Sequence, residues 1–325
     1  MLVDNYARRF TYLRLSVTEA CNFRCNYCLP DGTDCSSGTR AGELSLDEIR
    51  RLVTTFAQLG TKKVRITGGE PSLRRDLCDI IATCNAVPGI ETVALTTNGY
   101  RLLQDVTAWK AAGLDALNVS IDSLEAARFK MITGHDKLQK ILDGLTLAEE
   151  LNISKIKINS VLMRHFNEDA LDDFLALVRN RPFTLRFIEL MRTSDNQAFF
   201  DRHHLSGSMI EQELLQRGWQ TSERGEHAGP AREFQHPDSR GGIGLIMPYS
   251  KDFCASCNRL RVSSDGKLFL CLFADEHQSL REHLQNDNHR PLINYLHSAI
   301  GGKAATHYLH QQNPGATRHL AMIGG

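Results

Sequence analysis

The sequence predicts an α/β protein whose core is an open, partial, TIM-like (β/α)6 barrel followed by a C-terminal extension. Three observations support this fold class. Short apolar strands alternate with helical stretches up to residue 190, one face of those strands is polar, and the pattern changes at residue 193. Repeated strand–helix alternation indicates parallel strands with helices outside. We therefore expect a core domain over residues 1–192 and a second region over residues 193–325.

Six short apolar segments are predicted as strands. They are Tyr12–Val17, Lys63–Thr67, Thr92–Thr96, Ala116–Ile121, Lys155–Val161 and Leu185–Leu190. The first helix, over residues 46–59, has the clearest start, because Ser45 and Glu48 form a capping box ahead of apolar residues at helical spacing. The other predicted helices are Arg75–Ala86, Leu102–Ala112, Lys137–Leu151 and Asp169–Arg179.

The strands have one apolar and one polar face. In the first strand Leu13 and Leu15 alternate with Tyr12 and Arg14, and strand side chains change face at every residue. A closed eight-stranded barrel would fill its interior with branched apolar residues. The polar, cationic face therefore favours an open six-stranded barrel whose lumen is a binding cavity. The alternative is that these Lys and Arg side chains lie on a solvated face.

Three cysteines near the N-terminus, Cys21, Cys25 and Cys28, have the spacing Cys-x-x-x-Cys-x-x-Cys. A 4Fe–4S cluster has four irons and usually takes four thiolates. Three thiolates leave one iron open to a small molecule, which favours a catalytic cluster over an electron store. Zinc is the alternative, but structural zinc needs four ligands, and nearby only Cys35, across a Gly/Ser loop, offers a fourth. No role is assigned to Cys35.

A second cysteine group, Cys254, Cys257 and Cys271, lies in the C-terminal third. Asp265-Gly266 is a strong two-residue turn signal, so a hairpin would carry Cys271 back beside the other two cysteines. The group again offers three thiolates, which favours a second cluster. Zinc with His277 as a fourth ligand is the alternative.

Composition narrows the class of function. The chain has 325 residues, 38 basic and 38 acidic side chains and nine cysteines. Zero net charge implies no general attraction to nucleic acid or acidic membranes, and no apolar run approaches transmembrane length. The N-terminus lacks the apolar segment of a signal peptide. Nine cysteines in a chain without a recognisable signal peptide favour metal or redox chemistry over disulfides, and we expect the protein in a reducing cytoplasm. No phosphate-binding Gly-x-x-x-x-Gly-Lys-Ser/Thr loop is present.

The first cysteine triplet, with Tyr27 between its last two cysteines, resembles the radical S-adenosylmethionine superfamily. A set of motifs in matching order over essentially the whole chain is similar to the GTP 3′,8-cyclase family within it. These motifs are Tyr12–Cys28, Gly68-Gly69-Glu70-Pro71, Leu95-Thr96-Thr97-Asn98-Gly99, Arg186-Phe187-Ile188-Glu189, Cys254–Arg261 with Cys271, and Ile323-Gly324-Gly325.

The resemblance implies two 4Fe–4S clusters, S-adenosylmethionine as a cofactor and GTP as the substrate. The N-terminal cluster would support reductive cleavage of S-adenosylmethionine. The resulting radical would take hydrogen from C3′ of GTP, and C3′ would then bond to C8 of guanine. The product would be 3′,8-cyclo-7,8-dihydro-GTP, the first step of molybdenum cofactor biosynthesis. The C-terminal cluster would bind the guanine.

The resemblance also assigns residues. The metal ligands would be Cys21, Cys25, Cys28, Cys254, Cys257 and Cys271. The S-adenosylmethionine contacts would be Tyr27, Gly69, Ser120 and Met191. The GTP contacts would be Arg14, Arg65, Thr96, Lys157, Arg259, Leu260 and Arg261. Catalytic roles would fall to Arg259, Arg261, Gly324 and Gly325, with the Gly-Gly tail reaching into the active site.

Expected partners are GTP, an electron donor such as a flavodoxin-type reductase system, and the cyclic pyranopterin monophosphate synthase that receives the product. No nucleic acid or membrane partner is expected, and the protein would be a monomer or homodimer. Two other functions are considered. One is another radical enzyme with an auxiliary cluster that acts on a peptide or a different nucleotide. The other is a non-catalytic iron–sulfur or zinc module, which would not need a polar lumen.

Overall fold

The computed structural model describes residues 1–31, 42–223, 225, 229–274 and 277–324, so Cys35 and Gly325 lie outside the described residues. All six predicted strands form, each within one residue of its expected bounds, and the predicted barrel core is confirmed. They are β1 (Tyr12–Ser16), β2 (Lys63–Thr67), β3 (Thr92–Thr97), β4 (Ala116–Ser120), β5 (Lys155–Leu162) and β6 (Thr184–Glu189).

Six helices follow these strands in the chain, and five of the six were predicted from the sequence. The capping box of the first helix is present: the Ser45 hydroxyl accepts from the Glu48 amide at 3.3 Å, and the Glu48 carboxylate accepts from the Ser45 amide at 2.8 Å. The short helix α4 was not predicted. The helices are α1 (Leu46–Gln58), α2 (Leu77–Asn85), α3 (Leu102–Ala111), α4 (Ala126–Thr133), α5 (Leu138–Glu150) and α6 (Leu171–Asn180).

The C-terminal region adds helices and strands to this core. The predicted hairpin forms, with Arg261 opposite Phe269, and Gly266 adopts the positive φ of +82° that its turn requires. The helices are α7 (Gln197–His203), α8 (Gly207–Gln216) and α9 (Arg290–Ile300). The strands are β7 (Gln220–Thr221), β8 (Arg232–Gln235), β9 (Gly242–Ile246), β10 (Arg259–Val262), β11 (Lys267–Phe269) and β12 (Gln278–Ser279).

These strands form one 12-stranded sheet in the order β12-β11-β10-β1-β2-β3-β4-β5-β6-β9-β8-β7. Strands β1 to β6 are parallel to their neighbours. The C-terminal region contributes a further parallel strand on each side, β10 beside β1 and β9 beside β6. Because the order is linear, the barrel stays open. The proposed division at residue 192 remains a prediction, since the sheet continues across it.

The two faces of the sheet differ as the alternation predicts. Leu13, Leu15, Val64 and Ile66 are fully buried in the main apolar core under the helices. The intervening side chains, such as Arg14, point to the lumen, where they line a cavity. None of the described helices is both long and apolar enough to cross a membrane.

Candidate active site

A cavity of about 620 Å³ occupies the lumen. Its lining combines cationic side chains from β1, β2, β5, β6, β10 and the residue before β2 with the thiols of the second cysteine group. The cationic residues are Arg14, Lys62, Lys63, Arg65, Lys155, Lys157, Arg186, Arg259 and Arg261. Most of the Lys and Arg side chains of the polar strand face are therefore buried or half-buried around this cavity, whereas Lys155 is exposed.

Strand register brings three guanidinium groups into one row. Arg14 on β1 stands opposite Arg65 on β2 and Arg261 on β10. Each of the three residues is less than a tenth exposed. Burial lowers the pKa of all three, and the charge of Arg259 adds to this effect, bringing the pKa of Arg261 to about 10. Like charges held this close favour a bound anion.

Two residues earlier on the same strands, and so on the same face, lies a second row. Tyr12 on β1 stands opposite Lys63 on β2 and Arg259 on β10, and the Lys63 ammonium lies 5.1 Å from the Tyr12 ring centroid. Burial alone would raise the pKa of Tyr12, but Arg65, Arg14 and Lys63 lower it to about 8. The cavity therefore stabilises negative charge even on its own phenol.

Several buried polar atoms of the cavity have no hydrogen-bond partner within the described structure. Buried polar groups are rarely left unsatisfied in native proteins, so these atoms indicate where a polar ligand binds. They are Nε of Arg65, Oγ1 of Thr96, Oδ1 of Asn118, Oδ1 of Asn159 and Nε of Arg186.

The second cysteine group also lines this cavity. Cys254, Cys257 and Cys271 all contribute to its lining, with Cys271 carried back by the hairpin as predicted. Burial opposes ionisation of Cys254 and Cys257, but hydrogen bonds from His307 bring the pKa of Cys254 to about 7, and the Arg259 charge lowers that of Cys257. Thiolates are the form that binds iron, so this donor set fits a cluster.

The first cysteine group lies beside the C-terminal tail. Cys25 and Cys28 are partly buried, and desolvation raises the pKa of both thiols, that of Cys28 to about 11. The backbone amides of Leu320 and Ala321 donate hydrogen bonds to Cys28 and oppose this rise. Amide donors of this kind stabilise cluster thiolates. Partly buried thiols with such donors fit a cluster whose irons supply the remaining charge.

In the described part of the chain, no three or more His, Cys, Asp or Glu side chains are arranged to hold a single metal ion. His277, the candidate fourth zinc ligand, stacks on Phe269 with ring centroids 5.0 Å apart. A 4Fe–4S cluster takes its thiolates on separate irons, so its three cysteine sulfurs lie farther apart than the ligands of one ion.

The C-terminal tail connects the two regions. It passes Cys28 at residues 320–321, and the Gly324 carbonyl accepts hydrogen bonds from Arg14 and Arg261, two residues of the cavity lining. Gly324 has φ +63°, and a Cβ there would lie 2.3 Å from Oγ1 of Thr67. The tail therefore fits the cavity only with glycine at this position. Gly325 lies outside the described residues.

Of the predicted S-adenosylmethionine contacts, Tyr27 packs with Cys25 and Cys28 of the first cysteine group. Tyr27 is buried and donates a hydrogen bond to Asp122 at 3.0 Å. Gly69 lies against the backbone of Ala20, whose carbonyl oxygen would be 2.2 Å from an added Cβ. Ser120 ends β4. Met191 lines the cavity and belongs to the apolar cluster that contains the tail.

Most predicted GTP contacts line the cavity, with one difference. Arg14, Arg65, Arg259 and Arg261 do so, as do Thr96 and Lys157. Leu260 instead points to the opposite face of β10 and is buried in the main core. A contact from Leu260 to a nucleotide would therefore come from its backbone.

Four site residues were missed by the sequence reasoning: Lys63, Asp122, Arg186 and Glu233. Lys63 and Arg186 lie on the polar faces of their strands, as Arg65 does, but the resemblance that assigned Arg65 to GTP assigned no role to them. Asp122 accepts the Tyr27 hydroxyl across 95 residues of sequence, and Glu233 contacts Lys157 and Arg186 from another strand. No local signal reveals those pairings.

Comparisons with known proteins agree with this site. The family profile of the radical SAM superfamily matches residues 15–178, and the profile described as Molybdenum Cofactor Synthesis C matches residues 183–309. The matched segments contain the first and the second cysteine groups, respectively. The fold and the site thus define a radical S-adenosylmethionine protein with a C-terminal region of the molybdenum cofactor type.

Curated relatives identify the family within that class. Proteins named GTP 3′,8-cyclase from Cronobacter sakazakii and Aeromonas hydrophila are each 55% identical to this chain. The alignments cover 100% of this chain and 99% and 96% of the two relatives. A third protein of that name, from Stenotrophomonas maltophilia, is 55% identical over 325 residues, covering 100% of this chain and 99% of that relative. The chain belongs to the GTP 3′,8-cyclase family.

Solved structures share the fold at low sequence identity. Streptococcus suis SuiB bound to S-adenosylmethionine matches with a TM-score of 0.57 at 14% identity, covering 90% of this chain and 66% of SuiB. The anSMEcpe protein with bound AdoMet and a Cp18Cys peptide matches with a TM-score of 0.54 at 14% identity, covering 88% of this chain and 83% of that protein. These likenesses confirm the partial barrel with its C-terminal extension.

Proposed function

We propose that the protein is a GTP 3′,8-cyclase, which converts GTP to 3′,8-cyclo-7,8-dihydro-GTP in the first step of molybdenum cofactor biosynthesis. One observation carries the proposal: a single cavity joins a group of buried cations to the three thiols Cys254, Cys257 and Cys271. The cations suit a polyphosphate, and the thiols suit a cluster that meets the base.

The cofactors are two 4Fe–4S clusters and S-adenosylmethionine. When bound, they supply the electron and the 5′-deoxyadenosyl radical that begin the reaction. Cys21, Cys25 and Cys28 would hold the first cluster, and the second cysteine group would hold the other. Tyr27, fixed by its hydrogen bond to Asp122, would orient the adenine, with Gly69, Ser120 and Met191 as the other contacts.

The chain's own residues bind and orient GTP. Lys63, Arg65, Lys157 and Arg186 supply charge-assisted hydrogen bonds to the phosphates. Thr96 offers the unsatisfied hydroxyl described above. Arg14, Arg259 and Arg261, on the adjoining strands, lie between that cationic end and the thiols. A nucleotide in this cavity would therefore place its base toward the second cysteine group and its phosphates toward Lys157.

Arg259 and Arg261 would act on charge that develops during cyclisation. Both project from β10 into the cavity beside Cys257 and Cys271. Their guanidinium groups are planar and stay charged, which suits the stabilisation of a reduced guanine. The tail residues Gly324 and Gly325 would exclude water and hold Arg14 and Arg261 in position through the Gly324 carbonyl.

The reaction implies further partners. The electron would come from a donor such as a flavodoxin-type reductase system, and the product would pass to a cyclic pyranopterin monophosphate synthase. We expect the enzyme to act in the cytoplasm, where thiols stay reduced, as a monomer or homodimer. The nine cysteines and the neutral net charge support this expectation.

The test is anaerobic turnover with S-adenosylmethionine, GTP and a strong reductant, followed by mass spectrometry. Stoichiometric 5′-deoxyadenosine with a new isomer of GTP is expected. 5′-Deoxyadenosine without a changed nucleotide would keep the radical chemistry and reject GTP as substrate. If iron-replete protein forms neither product, the assignment of the first cysteine group is wrong.

A further inference from the structure

We propose that Glu233 occupies the phosphate end of the cavity before nucleotide binds, and that it competes with the phosphates for Lys157 and Arg186. The inference rests on the proposed function, because it assumes that GTP phosphates bind near Lys157 and Arg186. It adds a residue of opposite charge to a site otherwise described by its cations.

The carboxylate of Glu233 bridges two of those cations. Its Oε1 atom lies 3.2 Å from Nζ of Lys157 and 3.2 Å from Nη2 of Arg186. Lys157 on β5 and Arg186 on β6 both line the cavity. One oxygen atom therefore takes the position that a phosphate oxygen would need in order to bind both cations at once.

The backbone builds this contact. Glu233 on β8 stands opposite Gly244 on β9, and Gly244 stands opposite Arg186 on β6. A Cβ at Gly244 would lie 3.2 Å from Cγ of Arg186 and 3.3 Å from Cβ of Ala231. Because β9 has no side chain there, Arg186 can extend across it to the carboxylate on the next strand. The register of three neighbouring strands therefore places the Glu233 carboxylate within reach of Arg186.

The partners differ in exposure. The side chains of Lys157 and Arg186 are 17% and 6% exposed, whereas that of Glu233 is 36% exposed. Burial would raise the pKa of Glu233, but the charges of Lys157 and Arg186 hold it below its ordinary value. The carboxylate is therefore an anion at neutral pH, and it is the partner that can turn out to solvent when another anion arrives.

Displacement of Glu233 reduces the affinity that the phosphates contribute. A ligand that reaches Lys157 and Arg186 must replace Glu233. Its affinity therefore gains only the difference between the phosphate's interaction with these cations and the carboxylate's. Guanosine does not reach these cations and leaves the ion pairs intact. A triphosphate offers several oxygens and more charge than the single carboxylate, so it replaces Glu233 more readily than a monophosphate does.

The test compares nucleotide binding to wild-type and Glu233→Gln holoprotein by anaerobic calorimetry without S-adenosylmethionine, reductant or magnesium. We expect GTP to bind about 2- to 30-fold more tightly to the variant, because Glu233 makes two partly exposed ion pairs and each accounts for up to about 5-fold. Guanosine affinity should not change. Inorganic pyrophosphate should compete with GTP more strongly in the variant.

Glu211→Gln is the matched control. Glu211 pairs with Arg232, the neighbour of Glu233, outside the cavity. This control removes one negative charge nearby and should leave GTP affinity at the wild-type value. If Glu233→Gln fails to retain its iron, Glu233→Ala serves as the second variant with the same expected result.

The other outcomes are decisive. Unchanged or weaker GTP binding by the Glu233 variants would overturn the inference while leaving the proposed function in place. Equal tightening for GTP and guanosine would also overturn it, because that result would report a general change in the cavity. A wild-type protein that binds guanosine but gains nothing from the phosphates would overturn the inference and the proposed phosphate site together.

Discussion

The guanidinium of Arg261 donates a hydrogen bond to the carbonyl oxygen of Gly324 at 2.6 Å, and Arg14 donates to the same oxygen. A loop-like C-terminal segment is thereby fixed inside the lumen by two cations from neighbouring strands. Because the preceding residues of that segment donate amides to Cys28, the tail joins the first cysteine group to the row of arginines.

Replacing Gly324 with Ala should expel the tail from the cavity. The added Cβ would meet Thr67 at 2.3 Å, and φ +63° is unfavourable for alanine by about 1–2 kcal/mol even without a collision. Iron content and S-adenosylmethionine binding should survive, while cyclisation of GTP should fall to background. Deleting Gly324 and Gly325 should do the same, and the measurement is product yield by mass spectrometry. A fully active truncated protein would mean that the tail is only a structural terminus.

Replacing Arg259 with Ala should weaken GTP binding or slow turnover. Its guanidinium lies in the cavity and lowers the pKa of Cys257, so it is close enough to act on both nucleotide and cluster. Loss of a charged hydrogen bond costs about 1.5–3 kcal/mol, which is about 10- to 150-fold in kcat/KM.

Arg217→Ala is the control for Arg259→Ala, because Arg217 is an exposed arginine paired with Asp172 and Glu213 away from the cavity. Steady-state kinetics with GTP at saturating S-adenosylmethionine would compare the two variants with wild type. Equal kinetics for all three proteins would remove Arg259 from the active site.

The six core strands could be predicted from the sequence because their faces alternate with a period of two. Leu13 and Arg14, for example, are neighbours in sequence but lie on opposite faces of β1. The hairpin at Asp265-Gly266 was predictable for a similar reason, since a two-residue turn is a local property. Local patterns were enough to bring most of the cationic lining together.

Long-range pairings could not be predicted in this way. Strand β9 joins β6 as a parallel neighbour, and that choice depends on packing in the whole sheet. The contact of Glu233 with Arg186 depends on it, as it passes across Gly244. The tail contact between Arg14 and Gly324 joins residues 310 positions apart. None of these contacts has a signature within a short stretch of sequence.

The two cysteine groups should be separable by single substitutions. Cys28→Ala and Cys257→Ala should each remove about four irons per chain, the content of one cluster. Only Cys28→Ala should also abolish formation of 5′-deoxyadenosine, because it removes the cluster expected to contact S-adenosylmethionine. Iron analysis and nucleoside chromatography measure both effects.

Cys78→Ala controls for loss of a thiol as such, since Cys78 lies on α2 and outside the cavity. It should retain all of the wild-type iron. If Cys257→Ala kept its full iron content, or if both cluster variants lost the same cluster, the assignment of two separate sites would be wrong.

Binding of GTP should weaken as the pH rises from 7 to 9. Burial lowers the pKa of Lys63 and of Lys157 to about 8, with the Arg186 charge adding to the effect, and the surrounding cations lower that of Tyr12 to about 8. Below pH 8 both lysines are charged and the phenol is neutral, whereas above it the lysines lose charge and the phenol becomes negative. All three changes oppose a bound polyphosphate, so the Kd should rise by about 10- to 100-fold. Calorimetry at fixed ionic strength would measure it, along with proton uptake on binding near pH 8.

Lys157→Arg provides the control, because a guanidinium stays charged throughout this range. The variant should bind GTP with a shallower pH dependence, while Lys63 and Tyr12 continue to titrate. Guanosine, which has no phosphates, should bind the wild-type protein with little dependence on pH. A wild-type Kd for GTP that stayed constant from pH 7 to 9 would show that neither lysine contacts the phosphates in its titrating form. Such a result would place the triphosphate elsewhere in the cavity, nearer the row formed by Arg14, Arg65 and Arg261.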